Sequence, residues 1–149
     1  MKNLAIITLY LIFPFSHSFL SSLHPTFPSS LSFPSSLSSL LSLIPLIQKD
    51  PIGQLTKLYC PMKHHNEYHS CLIENKLGKA INIYQDCVRK VKFLQNLDVI
   101  TNFYCNKMKL EDYVKAEACM APGFTNLIVT DATFLPTLLN CMFKAENGK

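Results

Sequence analysis

The chain has 149 residues, of which 14 are basic and 10 acidic. Charges of both signs are interspersed along the chain, which argues against a nucleic-acid-binding protein. No phosphate-binding loop, Gly-x-Ser-x-Gly elbow or metalloprotease His-Glu motif occurs in it, so the sequence predicts no enzyme and no cofactor.

The N-terminus has the pattern of a secretory signal peptide. Lys2 supplies a positive charge, and residues 4–13 form a largely apolar run that is too short to span a bilayer. Pro14 interrupts this run, and no polar face alternates with the apolar one, which argues against a buried helix. Because Ser16 and Ser18 are small, we predict cleavage after Ser18 and assign residues 1–18 to the signal peptide.

Residues 19–48 form a low-complexity segment. Between positions 19 and 43 only His24 and Thr26 are not Phe, Leu, Ser or Pro. Four prolines and the lack of a helical period predict disorder. Two origins stay open: a Ser/Pro-rich linker, or a translated pyrimidine-rich tract, because codons made only of pyrimidines encode these four residues. Pro45 and the frequent serines exclude a stable membrane span.

Residues 49–149 are long enough for one domain. Their apolar spacing predicts an all-α fold, a compact bundle of five or six short helices. The first helix is expected to have Asp50 as its cap and Pro51 in its first turn. The second should carry Met62 and Tyr68 and end before Gly78. The third has an apolar stripe at helical spacing: Ala80, Ile83, Tyr84, Cys87, Val88, Val91 and Leu94.

The remaining helices are predicted from the same periodicity. A fourth begins at Asn96 or Asp98, and a fifth is expected to stop at Pro122. Residues 124–129 are strand-like but have no hairpin partner, and a last helix covers residues 135–142. The predicted aromatic core is Phe93, Phe103, Phe124, Phe134, Phe143, Tyr59, Tyr84 and Tyr104.

Six cysteines lie in the predicted domain: Cys60, Cys71, Cys87, Cys105, Cys119 and Cys141. Their even number, their wide spacing and the predicted signal peptide indicate three disulfides and a secreted, extracellular protein. Six cysteines allow 15 connectivities, so the pairing stays open.

One segment resembles a metal site. His65 and His69 are four residues apart, so a helix would place both imidazoles on one face, and His64 is adjacent. Cys60 or Cys71 could complete a zinc or copper site in a metal-binding or hydrolytic protein. Oxidised cysteines would be unavailable as ligands, and the competing interpretation is a polar, solvent-facing helix.

The cysteine layout resembles small secreted all-helical domains of unknown function from nematodes and arthropods. The resemblance covers residues 55–145 and is carried by Tyr59-Cys60, Cys71-Leu72-Ile73, Tyr84-Gln85-Asp86-Cys87 and Leu139-Asn140-Cys141. It implies an extracellular, disulfide-bonded helical domain and no known activity.

We therefore expect a non-catalytic binding domain. One version holds a small apolar ligand between helices, lined by residues such as Phe103, Tyr104, Met108 and Leu138. The other binds an extracellular protein through an exposed apolar patch. The same lining residues would also suit an ordinary core.

Overall fold

The computed structural model describes residues 36–148. In this part of the chain there are eight helices and no strand, so the predicted all-α fold is confirmed. They are α1 (Leu37–Leu41), α2 (Ile44–Lys49), α3 (Pro51–Tyr59), α4 (His65–Glu74), α5 (Gly78–Val91), α6 (Leu97–Asn106), α7 (Leu110–Thr130) and α8 (Phe134–Asn147). Helices α3–α8 are the six that follow residue 49, within the predicted number of five or six.

Two helices begin where their capping residues predict. The Asp50 side chain accepts a hydrogen bond from Gly53 N at the start of α3, and Pro51 is the first residue of that helix. The Asn96 side chain accepts from Val99 N at the start of α6. Each side chain accepts a hydrogen bond from a backbone N–H group that has no acceptor within its own helix.

Helix α4 ends in a tight turn that leads directly into α5. Lys76 adopts φ 62°, and Leu77 N donates to Leu72 O over 2.8 Å. This 6→1 bond with a left-handed residue is a Schellman arrangement. Met62 precedes α4, although the sequence analysis placed it within that helix.

Helix α7 is the main departure from the sequence prediction. It continues through Pro122, where a stop was expected, and the strand-like residues 124–129 are helical. Pro122 and Ala118 lie on the exposed side of α7, so water can reach the Ala118 carbonyl that the proline leaves without a donor. Gly123 faces α5, and a Cβ there would lie 2.9 Å from Ile83 Cδ1.

The predicted disorder of residues 19–48 is wrong for the described part of that segment. Residues 37–49 form α1 and α2, with α1 packed on α8 and α2 on α3. Leu40 and Ile47 are completely buried, and the Ser36 side chain caps α1. Apolar burial thus outweighs the biased composition. The predicted signal peptide, residues 1–18, and residues 19–35 lie outside the described residues.

The core is enclosed mainly by α5 packed along α7, α4 against α8, and α3 against α7. Among the predicted aromatic core residues, the prediction is wrong for Phe93, because its side chain is 79% exposed in the turn after α5. Phe103 and Phe143 are partly buried, and the other five rings are buried.

Three disulfides join different pairs of helices. Cys60 at the end of α3 pairs with Cys105 of α6, Cys71 of α4 with Cys141 of α8, and Cys87 of α5 with Cys119 of α7. They close segments of 45, 70 and 32 residues. By the chain-entropy model each contributes about 4 kcal/mol to the free energy of unfolding. None of the helices described is long and apolar enough to cross a membrane.

Candidate ligand-binding cavity

A cavity of about 60 Å³ lies at the centre of the helical bundle. All its lining side chains are buried, and they come from α3, α4, α5, α6, α7 and α8. They are Ile52, Leu55, Thr56, Tyr59, Tyr68, His69, Leu72, Ala80, Ile81, Tyr84, Tyr104, Met120, Phe124, Leu138 and Met142.

The wall is mostly aliphatic and aromatic, and its size limits the occupant. A cavity of about 150 Å³ accommodates benzene, so about 60 Å³ accommodates only a few non-hydrogen atoms. Met120 and Met142 are the flexible members of the wall, because methionine has three rotatable bonds and an adaptable thioether. These two side chains are therefore the parts of the wall that adapt most readily to an occupant.

Polar groups from three helices meet beside the cavity. The Tyr59 hydroxyl of α3 lies 2.8 Å from Thr101 Oγ1 of α6 and 2.9 Å from His69 Nε2 of α4. The Tyr84 ring of α5 packs edge-on against Tyr59, with 5.5 Å between ring centroids. The sequence analysis placed Tyr59 and Tyr84 in the core, but their hydroxyls have no sequence signature that links them to His69.

Two residues that line the cavity each have a buried polar atom without a hydrogen-bond partner among the described residues. These atoms are Nδ1 of His69 and the hydroxyl oxygen of Tyr84. Leaving a buried donor or acceptor unpaired costs about 1–3 kcal/mol. The cavity therefore combines an apolar wall with two lining residues that each retain an unpaired buried polar atom.

The cavity wall is electrically neutral. Burial, and secondarily the neighbouring His65, lower the pKa of His69 to about 4, although Asp98 opposes this shift. Burial raises the pKa of Tyr84 to about 12 and that of Tyr59 well above its usual range. At neutral pH the imidazole is therefore uncharged and both phenols keep their protons.

The histidine segment does not assemble the predicted metal ligands. Cys60 and Cys71 are both in disulfides, and no group of three or more His, Cys, Asp or Glu residues that could hold a metal occurs within residues 36–148. The rings of His65 and His69 are 6.4 Å apart, and His65 Nε2 lies 2.9 Å from Tyr59 O. His64 is largely exposed, 3.8 Å from Glu67.

The competing interpretation of this segment, a polar helix that faces solvent, is also wrong for one face of α4. His69 is 6% exposed and Tyr68 is 5% exposed. Nothing in the local sequence distinguishes the buried histidine from its exposed neighbour His64, because both precede polar or charged residues.

The predicted ligand-lining residues divide into two pairs. Tyr104 and Leu138 line the cavity, whereas Phe103 and Met108 do not and are only partly buried. Phe103 instead lies below Lys92, whose Nζ is 5.1 Å from the ring centroid. Tyr104 and Phe103 are consecutive residues of α6 and point in different directions, so only Tyr104 reaches the cavity.

A second polar cluster lies next to Tyr104. Thr56 Oγ1 is 2.9 Å from the Tyr104 hydroxyl, and the Tyr104 and Tyr113 rings stack at 5.3 Å. Burial raises the pKa of Glu117, whose Oε1 has no partner among the described residues. Glu117 is not part of the cavity wall.

Comparison of the chain with known proteins finds no matching family model, no matching curated protein and no matching solved structure.

Proposed function

We propose that this protein is a secreted, non-catalytic binding domain that holds a small, largely apolar molecule in its central cavity. The observation that carries this function is the cavity wall itself. Six helices supply apolar side chains, and two of the lining residues, His69 and Tyr84, have buried polar atoms without a protein partner. Apolar walls with a few polar groups are typical of small-molecule sites.

Secretion is supported by two features of the chain. All six cysteines are paired in disulfides, which form and persist in oxidising compartments. The N-terminal sequence adds the charged and apolar pattern of a signal peptide.

The test is a titration of the isotope-labelled, oxidised protein with acetone, followed by amide chemical shifts. This probe has only four non-hydrogen atoms and carries one polar group between two methyl groups. Binding in the cavity predicts saturable shifts around residues of α3, α4 and α5. Shifts that fail to saturate, or that lie only at the surface, would contradict the function.

Two matched variants locate the binding site. Ala80 lines the cavity, whereas Ala116 is fully buried in α7 outside it. Ala80→Val adds two methyl groups where there is space and should abolish probe binding. Ala116→Val adds the same volume to packed core and should leave probe binding intact while costing about 1–3 kcal/mol of stability.

An extracellular protein partner is the second candidate. The observation that favours it is the exposure of large apolar side chains, with Phe93 at 79% and Val129 at 78%. However, the exposed set is distributed over α2, α4, α6, α7 and the turn after α5: Leu46, Ile73, Phe93, Val99, Leu110, Val114 and Val129. Single exposed apolar residues are common on protein surfaces, so we rank this candidate below the cavity.

The metal-binding alternative is tested with zinc on the oxidised protein. We expect no micromolar binding, because His65 and His69 each use Nε2 in a hydrogen bond to Tyr59. Micromolar binding that is lost in both His65→Ala and His69→Ala would restore the metal site in place of the cavity.

A further inference from the structure

The turn between α5 and α6 holds an aromatic side chain out into solvent. Lys92 ends α5 in an extended conformation, with φ −148° and ψ 124°, and the next residue, Phe93, is 79% exposed. Phe93 is the most exposed large hydrophobic residue among those described, and it does not pack against the core. Its phenyl ring therefore keeps apolar surface in contact with water, which is unfavourable in the free protein.

Arg89 fixes the backbone of this turn. Its Nε donates to Leu94 O and its Nη2 to Gln95 O, each over 3.0 Å. On the other side of Phe93, the backbone N–H of Lys92 is bonded within α5, and Leu94 packs against the core. The residues on both sides of Phe93 are thus attached to the fold, which holds the ring in its exposed position.

Three cations lie within the four residues that precede Phe93: Arg89, Lys90 and Lys92. No acidic residue occurs between positions 86 and 98, and none of the three cations forms an ion pair within residues 36–148. The ammonium groups of the two lysines lie against a phenyl ring and a disulfide sulfur instead. The negative end of the α5 dipole favours cations in its last turn, but it does not account for the exposed ring beside them.

The small size of the apolar surface favours a lipid bilayer over a protein partner. Val99, 45% exposed in the first turn of α6, is the exposed apolar residue nearest to Phe93 in sequence. A stable protein interface buries about 800 Å² on each partner, which two such side chains do not supply. A bilayer interface, by contrast, accepts a single aromatic ring among its headgroups, and anionic lipids attract the neighbouring cations.

We propose that the end of α5 and the turn after it bind the surface of bilayers that contain anionic phospholipids. Phe93 enters the interfacial region, while Lys90 and Lys92 meet the lipid phosphates and Arg89 holds the turn and adds its charge. None of these four residues lines the cavity. The interaction therefore goes beyond the ligand-binding function and does not depend on it.

A fluorescent reporter tests whether the ring enters the bilayer. The chain contains no tryptophan, so Phe93→Trp introduces a single one in the exposed turn. Vesicles made of equal parts phosphatidylcholine and phosphatidylglycerol should shift the emission of this variant to shorter wavelength, because the indole ring leaves water. Vesicles of phosphatidylcholine alone should not.

Val129→Trp is the matched control, because Val129 is 78% exposed. Helix α7 runs antiparallel to α5, since Cys87 is bonded to Cys119, whereas Ile83, earlier on α5, lies beside Gly123, later on α7. Val129 is therefore directed toward the N-terminal end of α5, away from the turn. The emission of this variant should be unchanged by either kind of vesicle.

Co-sedimentation with the mixed vesicles measures how much each group contributes. Phe93→Ala should lower the partition coefficient about tenfold, and Lys90→Gln should lower it about fivefold. Lys79→Gln removes the same charge at the N-terminal end of α5 and should leave binding unchanged. Higher salt should weaken binding of the wild type, because it screens the lysines.

Three outcomes would overturn the proposal. The first is that the wild type does not bind the mixed vesicles. The second is an equal shift of emission in the two tryptophan variants. The third is binding to polyglutamate that is as tight as binding to vesicles and unaffected by Phe93→Ala, which would assign the cations to an acidic protein partner instead.

Discussion

The hydroxyl of Tyr59 lies 2.9 Å from Nε2 of His69, and this contact joins the end of α3 to the middle of α4. The same hydroxyl reaches Thr101 of α6. One side chain thus organises the polar groups of three helices beside the cavity. The Cys60–Cys105 disulfide also joins the end of α3 to α6, so the network and the disulfide connect the same two helices.

Tyr59→Phe should therefore destabilise the protein by about 2–3 kcal/mol, because it leaves both His69 and Thr101 without a partner in a buried site. The measurement is urea-induced unfolding of the oxidised protein. Tyr84→Phe is the matched control, because it removes a buried hydroxyl that has no hydrogen-bond partner among the described residues and should therefore not lower the free energy of unfolding. Equal losses in the two variants would contradict the network.

Acid should lower the stability of the folded protein, because His69 binds a proton more readily in the unfolded state. Its pKa is about 4 in the folded protein and about 6.5 in an unfolded chain, so between these values the unfolded state binds more protons. Stability should consequently fall as pH decreases from about 6.5 to about 4, by roughly 3 kcal/mol in total. Burial lowers the pKa of His65 as well, which adds to the loss in the same direction.

The measurement is the midpoint of urea unfolding across this pH range. His69→Gln cannot be protonated, so its stability should depend less on pH between 6.5 and 4 than that of the wild type. Asp98 and Glu146 face this histidine pair and oppose its pKa shifts. Identical pH profiles for wild type and variant would show that His69 is not the responsible group.

The disulfides should differ in how much they contribute to the free energy of unfolding. The loop closed by Cys71 and Cys141 is longer than that closed by Cys87 and Cys119, 70 against 32 residues. The chain-entropy model therefore predicts a loss about 0.7 kcal/mol larger when the first pair is replaced by alanine. Both double variants should lose about 4 kcal/mol. Thermal unfolding of each variant checks the order, and a larger loss for the second pair would contradict it.

Periodicity and capping residues were sufficient to predict α3, α5 and α6, because local signals and tertiary packing agree there. They failed at Pro122, where the outcome depends on whether the broken hydrogen bond faces solvent. That orientation is set by the packing of α7 against α5 and is not encoded in the local sequence. A proline signals a helix end only on average.

The cavity was predictable only in part. Tyr104 and Leu138 follow from apolar periodicity, but inward and outward positions on α6 depend on its rotation in the bundle. The role of His69 was not predictable, since it requires Tyr59 and Thr101, which lie 10 and 32 positions away in the chain. The disulfide pairing was likewise left open by spacing alone and follows from which helices are neighbours.

Helices α1 and α2 are a further case in which the local sequence did not predict tertiary packing. Their composition indicated disorder, yet Leu40 and Ile47 are fully buried, and α1 packs on α8. If this segment is an integral part of the fold, Leu40→Ala should cost about 2–4 kcal/mol. Leu46 is 53% exposed on α2, so Leu46→Ala is the matched control and should cost less than about 0.5 kcal/mol. Urea unfolding of both variants distinguishes a structural segment from a dispensable one.

A negligible effect of Leu40→Ala would place the start of the domain near Lys49, and it would favour the interpretation of the preceding residues as a linker or a translated non-coding tract. A large effect would show that residues 36–49 are required for stability and are therefore part of the functional protein.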